Sequence, residues 1–122
     1  MKILDAQGDG RDMAQDGSFH CEVEKSKDEH GNQVTTIKCH GDLVSVTASE
    51  FKELVKPLIP LGGRIVIDVS DVRHLDSAGL GALVGLKVSA IKQGLCILEF
   101  ANIPPRMLEL LRITRLTELF SS

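Results

Sequence analysis

The sequence predicts a single α/β domain in which an antiparallel hairpin leads into a parallel sheet covered by helices. The 122 residues of the chain are about the size of one domain. Segments with strand-like patterns and segments with helical periodicity follow in the order strand, strand, helix, strand, helix, strand, helix. Because right-handed crossovers leave few topologies for this order, we expect a mixed sheet of four to five strands with about three packed helices.

The N-terminal part of the chain predicts a tail followed by the hairpin. Residues 1–17 are rich in glycine and aspartate and offer few apolar side chains, so we expect a flexible tail before a domain of residues 18–122. Residues 19–25 alternate apolar with polar side chains, as a half-buried strand does. The charged, turn-forming residues 27–33 then predict the hairpin loop, and the β-branched residues 34–40 predict the returning strand.

A helix and a central strand are predicted next. Gly41 and Asp42 are expected to end the returning strand. Thr47 followed by Glu50 has the spacing of a capping box at a helix N-terminus. Residues 64–69 form a nearly continuous apolar, β-branched run, which is typical of a strand covered on both faces. The apolar residues that give the intervening helix its periodicity are Phe51, Leu54, Val55, Leu58 and Ile59.

The second half of the chain predicts two more helices around one more strand. After a polar link of residues 70–75, a long helix is expected to begin at Asp76 or Ser77 and to stop at Gly94. Residues 95–100 predict a strand, and two consecutive prolines then open a last helix. The side chains expected to face the sheet from the long helix are Leu80, Leu83, Val84 and Ile91. The apolar residues expected to close the C-terminal end are Leu116, Leu119 and Phe120.

Ser77 stands where a helix start gives a serine special chemistry. The first turn of a helix has unpaired N–H groups and the positive end of the dipole, so a hydroxyl there can cap the helix and a phosphate on it can be held. The small residues Ala78, Gly79 and Gly81 leave this helix start open to close approach by another protein. The residues by themselves favour a structural interpretation, because serine is an ordinary cap and small residues often allow close packing on a sheet.

No enzyme active site is predicted around Ser77. The serine is not in the G-x-S-x-G pattern of a hydrolase nucleophile, and no base and orienting group accompany it in the sequence. A dinucleotide-binding fingerprint would require glycine where Val84 stands. His74 is interpreted as a partly exposed loop residue, and Asp68 and Asp71 as ordinary strand-end residues. We therefore predict a protein that is not an enzyme and uses no cofactor.

The cysteines and histidines predict no metal site. Cys21, Cys39 and Cys96 lie in separate strand-like segments and are interpreted as small buried hydrophobic residues. His20 precedes Cys21 and His40 follows Cys39. Neighbouring side chains in a strand point to opposite faces, so each Cys-His pair could offer at most one ligand to one side.

Composition excludes several classes of partner. The formal net charge is −3 with no basic stripe, and only 3% of the residues are aromatic, so nucleic acid is not an expected ligand. The sequence has no apolar stretch of signal-peptide or membrane-spanning length. We therefore expect a cytoplasmic protein that does not insert into membranes.

From residue 34 to residue 120 the chain resembles STAS domains, in particular the bacterial anti-sigma factor antagonists. The segment that carries most of the resemblance is Asp76-Ser77-Ala78-Gly79-Leu80-Gly81, which stands at a strand-to-helix junction. The weaker matches are Gly41-Asp42-Leu43, Thr47, residues 65–68, Gly94, Pro105, and the ending from Leu110-Leu111 to Phe120.

The resemblance implies a protein-binding switch controlled by phosphorylation. Ser77 takes the place of the serine that, in this family, is phosphorylated by a partner kinase that is also the anti-sigma factor. It further implies that the partner is released after phosphorylation and that a serine phosphatase is a second partner. Ala78 stands where many members carry another serine, and Val44 stands where an acidic residue is frequent. The residues expected at the partner surface are Asp42, Ser45, Asp76, Ser77, Ala78, Gly79 and Leu80.

A second function remains open from the sequence. STAS-like accessory subunits of membrane transport assemblies dock on an ATPase and need no phosphorylation, and the proteins captured with the chain would distinguish this role from the switch. In either role we expect a monomer or a weak dimer.

Overall fold

The computed structural model describes residues 2–5 and 19–121. Its strands form one mixed sheet with the order β1-β2-β3-β4-β5. Strand β2 pairs antiparallel with both of its neighbours, β1 and β3, whereas β3, β4 and β5 are parallel to one another. The predicted α/β fold with an N-terminal hairpin and a mixed sheet is thereby confirmed. The strands are Lys2–Asp5 (β1), His20–Lys27 (β2), Gln33–Leu43 (β3), Gly63–Leu75 (β4) and Cys96–Ala101 (β5).

The helices connect the parallel strands and follow the last one. Each parallel crossover contains a helix because a strand that returns in the same direction needs a long connection. The C-terminal helices close the end of the sheet, where the Phe100 and Phe120 rings stack with centroids 4.3 Å apart. The helices are Ser45–Val55 (α1), the 3₁₀ helix Lys56–Leu61, Ser77–Gln93 (α2), Pro105–Ile113 (α3) and Thr117–Ser121 (α4).

Strand β1 is an element that the sequence analysis did not predict. Lys2–Asp5 pairs antiparallel with β2, within the stretch where a flexible tail of residues 1–17 is expected. Four residues carry too little periodicity to indicate a strand, and the pairing depends on the edge that β2 offers. Residues 6–17 of the expected tail lie outside the described residues, so the domain boundary stays a prediction.

Both parallel central strands are longer than predicted. Gly41 and Asp42 do not end β3, which continues to Leu43, and the expected polar link of residues 70–75 is the second half of β4. The two extensions pair with each other in the β3–β4 ladder. The register of this ladder shifts between Lys38 and His40 and between Gly41 and Asp42, so the pairing continues past these residues. Side chains of β4 also alternate between buried and partly exposed, so the expectation that residues 64–69 are covered on both faces is wrong for the described part of the chain.

Helix α1 begins before the predicted capping box. Its first residue is Ser45, so Thr47 is the third helical residue and not the cap. The Thr47 hydroxyl donates to the Asp42 carbonyl at 2.6 Å and accepts from the Val44 N–H at 3.1 Å. Thr47 therefore ties the helix start back to the end of β3, five residues earlier, as the N3 residue of a helix whose N-cap is Val44.

Helix α2 packs on the sheet through most of the predicted face, with one residue wrongly assigned to it. Leu83 is buried as expected, and Leu80 and Val84 pack against the core, but Ile91 is 59% exposed. Lys87 lies on the buried face instead, and its Nζ donates to the Leu98 carbonyl at 2.6 Å. A charged residue in the buried stripe interrupted the apolar pattern that the sequence analysis followed. The buried residues of α2 are Gly79, Ala82, Leu83, Leu86, Lys87 and Ala90.

The hydrophobic core lies between the helices and one face of the sheet. It includes inward-facing side chains from β2 to β5, and the Phe19 and Phe51 rings meet edge to face, with centroids 5.6 Å apart. Within the described ranges, no helix is both long enough and apolar enough to cross a bilayer. The largest fully buried side chains are Phe19, Phe51, Ile37, Leu43, Ile59, Ile65, Ile67, Leu83, Leu86, Leu98, Leu111 and Val55.

Gly79 fixes how closely α2 approaches the sheet. A Cβ at this position would lie 2.0 Å from the backbone oxygen of Leu43 and 2.9 Å from a methyl carbon of Leu75. By contrast, a Cβ on Gly81 or Gly85 would meet nothing within 4 Å. Of the two interpretations of the small residues, close packing therefore applies to Gly79, whereas Gly81 and Gly85 leave the outer surface of α2 open.

The two kinds of glycine predict opposite effects of alanine. We expect Gly79→Ala to lower the free energy of unfolding by about 2 kcal/mol or more, because backbone atoms must move apart. Gly85→Ala should raise it by about 0.5–1 kcal/mol, since alanine is the better helix former and meets open space. Urea unfolding followed by circular dichroism measures both. Equal effects of the two substitutions would contradict the close approach at Gly79.

Candidate functional site

Two helices begin side by side at one end of the sheet. The last residues of β3 and β4, Leu43 and Leu75, are register partners in the parallel ladder. Helix α1 begins two residues after Leu43, and α2 begins two residues after Leu75. Both N-termini therefore lie beyond the carboxyl ends of adjacent parallel strands, where open α/β sheets commonly form their binding sites.

The Asp76 carboxylate joins the two helix starts. Asp76 is the N-cap of α2, and its Oδ1 accepts from the Gly79 N–H at 2.9 Å. Its Oδ2 accepts from the N–H of Ser45, which is the first residue of α1, at 3.0 Å. The Gly79 N–H above all, with further backbone N–H groups including that of Ser45, holds the pKa of Asp76 below its usual range. One carboxylate thus satisfies donors at both N-termini.

Ser77 follows this cap as the first residue of α2. The Ser77 hydroxyl does not cap the helix as expected, because the Asp76 side chain takes that role. Ser77 is exposed, and its hydroxyl has no hydrogen-bond partner within the part of the chain that the structure describes. The hydroxyl is therefore available for a reaction or for contact with another molecule.

Asp42 is placed on the adjacent strand and paired with His74. Asp42 Oδ1 lies 2.8 Å from His74 Nδ1, and the two residues are register partners in the β3–β4 ladder. The Asp42 side chain is 25% exposed and that of His74 is 69% exposed. His74 is therefore a strand residue, and not the loop residue that the sequence suggested. Its pairing with Asp42 depends on the register of two strands and has no local sequence signal.

The remaining predicted site residues surround Ser77 at different depths. Ser45 and Ala78 are exposed and Leu80 is partly buried, whereas Gly79 is buried under the helix start. The sequence analysis missed Val46, which is 79% exposed in the first turn of α1. Val46 is apolar but does not belong to the apolar stripe of α1, which could have indicated an exposed side chain. The predicted helix start at Thr47 left Val46 outside the helix, so this indication was missed. The exposed helix-start surface, defined here as Ser45, Val46, Ser77, Ala78 and Gly81, combines small residues with one apolar side chain.

A groove lies beside this surface. It encloses about 300 Å³ between the C-terminal end of β4 and α3. The Arg106 guanidinium reaches across it and donates to the Arg73 carbonyl at 3.4 Å. The groove therefore brings basic side chains next to Asp76 and the start of α2. Its lining residues are Val44, Val72, Arg73, His74, Leu75, Asp76, Pro104, Arg106, Met107 and Leu110.

Comparison with known proteins identifies the family. A family model described as "Mlab, STAS domain" matches residues 26–121. The chain belongs to the STAS domain family. The anti-sigma-B factor antagonist of Bacillus subtilis is 31% identical over 83 residues, which are 68% of this chain and 75% of that protein. The resemblance expected from the sequence is thereby confirmed.

Solved structures show the same fold. An anti-sigma factor antagonist from Mycobacterium paratuberculosis superimposes with a TM-score of 0.68 at 21% identity, covering 89% of this chain and 88% of that one. The Bacillus cell fate determinant SpoIIAA in its phosphorylated form gives a TM-score of 0.61 at 17% identity, covering 82% and 87%. The STAS domain therefore extends over most of the chain, and Ser77 lies in its strand-to-helix junction.

The hydrogen bonds of Asp76 predict a pH-dependent contribution to stability. Because the folded protein lowers the pKa of Asp76, its ionised form stabilises the fold above the ordinary aspartate pKa of 3.8. This contribution is lost as the pH falls from that value through the lowered pKa. We expect Asp76→Asn to lower the unfolding temperature near neutral pH and the difference from wild type to shrink below about pH 4. Thermal unfolding from pH 2 to pH 7 measures it.

Glu53→Gln provides the control for this experiment. Glu53 is an exposed carboxylate of α1 that contributes no hydrogen bond to the helix starts. Its replacement should leave the unfolding temperature nearly unchanged throughout. A difference between Asp76→Asn and wild type that is the same at every pH would contradict the ionised bridge.

Proposed function

We propose that this protein is an anti-sigma factor antagonist that acts as a phosphorylation-controlled binding switch. With Ser77 unmodified, it binds a serine kinase that serves as the anti-sigma factor, and with Ser77 phosphorylated it releases that partner. The observation that carries the proposal is the exposed Ser77 hydroxyl at the start of α2, which has no hydrogen-bond partner among residues 2–5 and 19–121, in a chain homologous to an anti-sigma-B factor antagonist. A serine phosphatase would restore the binding form.

The position of Ser77 suits a phosphoacceptor. The hydroxyl is exposed, and the backbone beneath it is held by the hydrogen bonds of Asp76 to Gly79 and Ser45. A kinase would therefore receive the serine in one defined place without unfolding the helix. SpoIIAA, a protein of the same fold, is known in phosphorylated and unphosphorylated forms, which supports the view that the fold accommodates the modification.

The expected effect of phosphorylation follows from charge. A phosphate adds about −1.5 to −2 at neutral pH beside the ionised Asp76 carboxylate. Since the Ser77 side chain points to solvent, the free protein can hydrate this charge, and the fold should survive nearly unchanged. A packed interface would have to bury the phosphate next to a second negative charge. Burial of an unpaired charge costs several kcal/mol, which is enough to lower affinity by orders of magnitude.

The helix-start surface provides the contact area for the partner in this proposal. Ser45, Ala78 and Gly81 permit close approach of another backbone, and Val46 supplies an apolar side chain at the edge. Asp42 and Leu80 would add a polar and an apolar contact. The role is binding and not catalysis, in the cytoplasm, with no nucleic acid or membrane partner and as a monomer or weak dimer.

Substitution of Ser77 is predicted to change partner binding without changing the fold. We expect Ser77→Asp and stoichiometrically phosphorylated protein to bind the partner about 100-fold more weakly than wild type or Ser77→Ala. Affinity capture from the source cell, followed by titration with the purified partner, measures this effect. Unfolding temperatures should stay within about 2 °C, because the side chain is exposed.

Ser26→Asp is the matched control, since Ser26 is an exposed serine near the hairpin loop. It should bind as wild type does. Mapping of phosphate in the cell to another residue, with Ser77 unmodified, would contradict the proposal. Capture of transport ATPase components that bind equally well to Ser77→Asp would instead support the accessory-subunit alternative.

Val46 is predicted to be an apolar contact for the partner. We expect Val46→Asp to weaken binding at least 10-fold, because a charge replaces an exposed apolar side chain in the first turn of α1, whose N-terminus is bonded to Asp76. Leu61→Asp is the control, since Leu61 is 75% exposed compared with 79% for Val46 but precedes the N-terminal end of β4. Isothermal titration with the captured partner compares the two variants. Equal losses of affinity would place the partner elsewhere.

A further inference from the structure

A histidine cluster lies on the face of the sheet that points away from the core. His20 and Glu22 alternate along β2 with the buried Cys21, and His40 follows the buried Cys39 on β3. His20 and His40 are register partners in the antiparallel ladder, so their side chains point to the same side. The prediction that no metal binds here considered each Cys-His pair within its own strand. The pairing of His20 with His40 joins two different strands and has no local sequence signal.

The potential ligand atoms of the three residues converge. One atom each from His20, Glu22 and His40 lies within 4.8 Å of the other two. His40 Nε2 and Glu22 Oε2 are 3.2 Å apart. Two ligands of a tetrahedral Zn²⁺ with bonds of about 2.0–2.1 Å are separated by about 3.3 Å, so this pair already has the required spacing. The His20 ring is stacked on His40 with centroids 4.8 Å apart, and its nitrogen would have to move closer to complete a set of three ligands.

The second nitrogen of His40 is held by another carboxylate. His40 Nδ1 lies 2.7 Å from Asp71 Oδ2 on β4. Histidines that bind metals usually donate their other ring N–H to a carboxylate or a carbonyl, which fixes the ring and directs the free nitrogen to the ion. Asp71 therefore orients His40 as a positioning residue, with Nε2 facing Glu22 and His20.

That Nε2 atom is buried and lacks a hydrogen-bond partner among the described residues. Glu22 Oε2 is close enough for an ion pair, but its direction does not satisfy hydrogen-bond geometry. A buried polar atom without a partner is unfavourable and is uncommon in native proteins. A ligand that accepts the Nε2 lone pair would remove this cost, and a metal ion is such a ligand.

We propose that His20, Glu22 and His40 form a binding site for a divalent transition metal ion, with Asp71 as the positioning residue. Two imidazoles and one carboxylate suit Zn²⁺, Co²⁺, Ni²⁺ or Cu²⁺, whereas Mg²⁺ and Ca²⁺ prefer sites made of oxygen ligands. The ion would join β2 to β3 and, through Asp71, to β4. The site is independent of Ser77 and of the proposed switch.

Metal titration of the full chain tests the site. We expect one equivalent of Zn²⁺ to bind with a dissociation constant below about 100 µM. At 100 times that constant, the unfolding temperature should rise by about 10 °C. His20→Gln, Glu22→Gln and His40→Gln should each weaken binding at least 10-fold, and Asp71→Asn should weaken it about 10- to 100-fold. His30→Gln in the hairpin loop is the matched control and should bind as wild type does.

A measurement on the wild-type protein keeps the test decisive if a variant fails to fold. The chain has four histidines, so imidazole resonances in a ¹⁵N correlation spectrum can each be assigned. Addition of Zn²⁺ should shift those of His20 and His40 and leave those of His30 and His74 in place. Absence of saturable binding, or binding that is lost in Cys39→Ser and kept in His40→Gln, would overturn the proposal.

Discussion

The Asp76 carboxylate is the contact on which the candidate site depends. A helix N-terminus leaves several N–H groups without partners, and this fold places two such N-termini side by side at the end of β3 and β4. Asp76 accepts from one donor of each helix and so fixes α1 relative to α2. Because Asp76 does the capping, the next residue, Ser77, is left with an exposed side chain on a fixed backbone. Asp76 therefore has the structural role at this junction, and in the proposed switch the modified side chain is its neighbour Ser77.

Close packing beneath this contact makes the arrangement specific. Gly79 allows α2 to touch the backbone of Leu43, and Thr47 ties the start of α1 to the carbonyl of Asp42. Both interactions use the last residues of β3, which therefore organise both helix starts. A surface held in this way is suited to recognition without rearrangement, since the free energy of ordering it has already been spent in folding.

The two sides of the sheet have different chemistry. The face that packs against the helices is apolar, with Cys21 and Cys39 among its buried residues. The opposite face brings His20 and His40 together with carboxylates from β2 and β4. The alternation of a β-strand produces this division, because successive side chains point to opposite faces. The histidine cluster on this face is separate from the helix-start surface, which lies beyond the ends of β3 and β4.

Local patterns in the sequence determined the order and type of the main elements. Alternation predicted the hairpin, helical periodicity with Gly94 predicted α2 and its end, and the Asp76-Ser77 junction located the candidate site. The same junction also supplied most of the resemblance that indicated the STAS domain family. These features depend on neighbouring residues, whose effects on backbone conformation are local.

Only the tertiary structure decided the features that depend on partners distant in the chain. The pairing of β1 with β2, the continuation of β3 beyond Gly41 and the burial of Lys87 each require a surface supplied by another element. So do the bridge from Asp76 to Ser45, 31 residues away, and the meeting of His20 with His40 across two strands. Strand register and helix packing determine these contacts. Both depend on how the whole core is buried and not on local propensity.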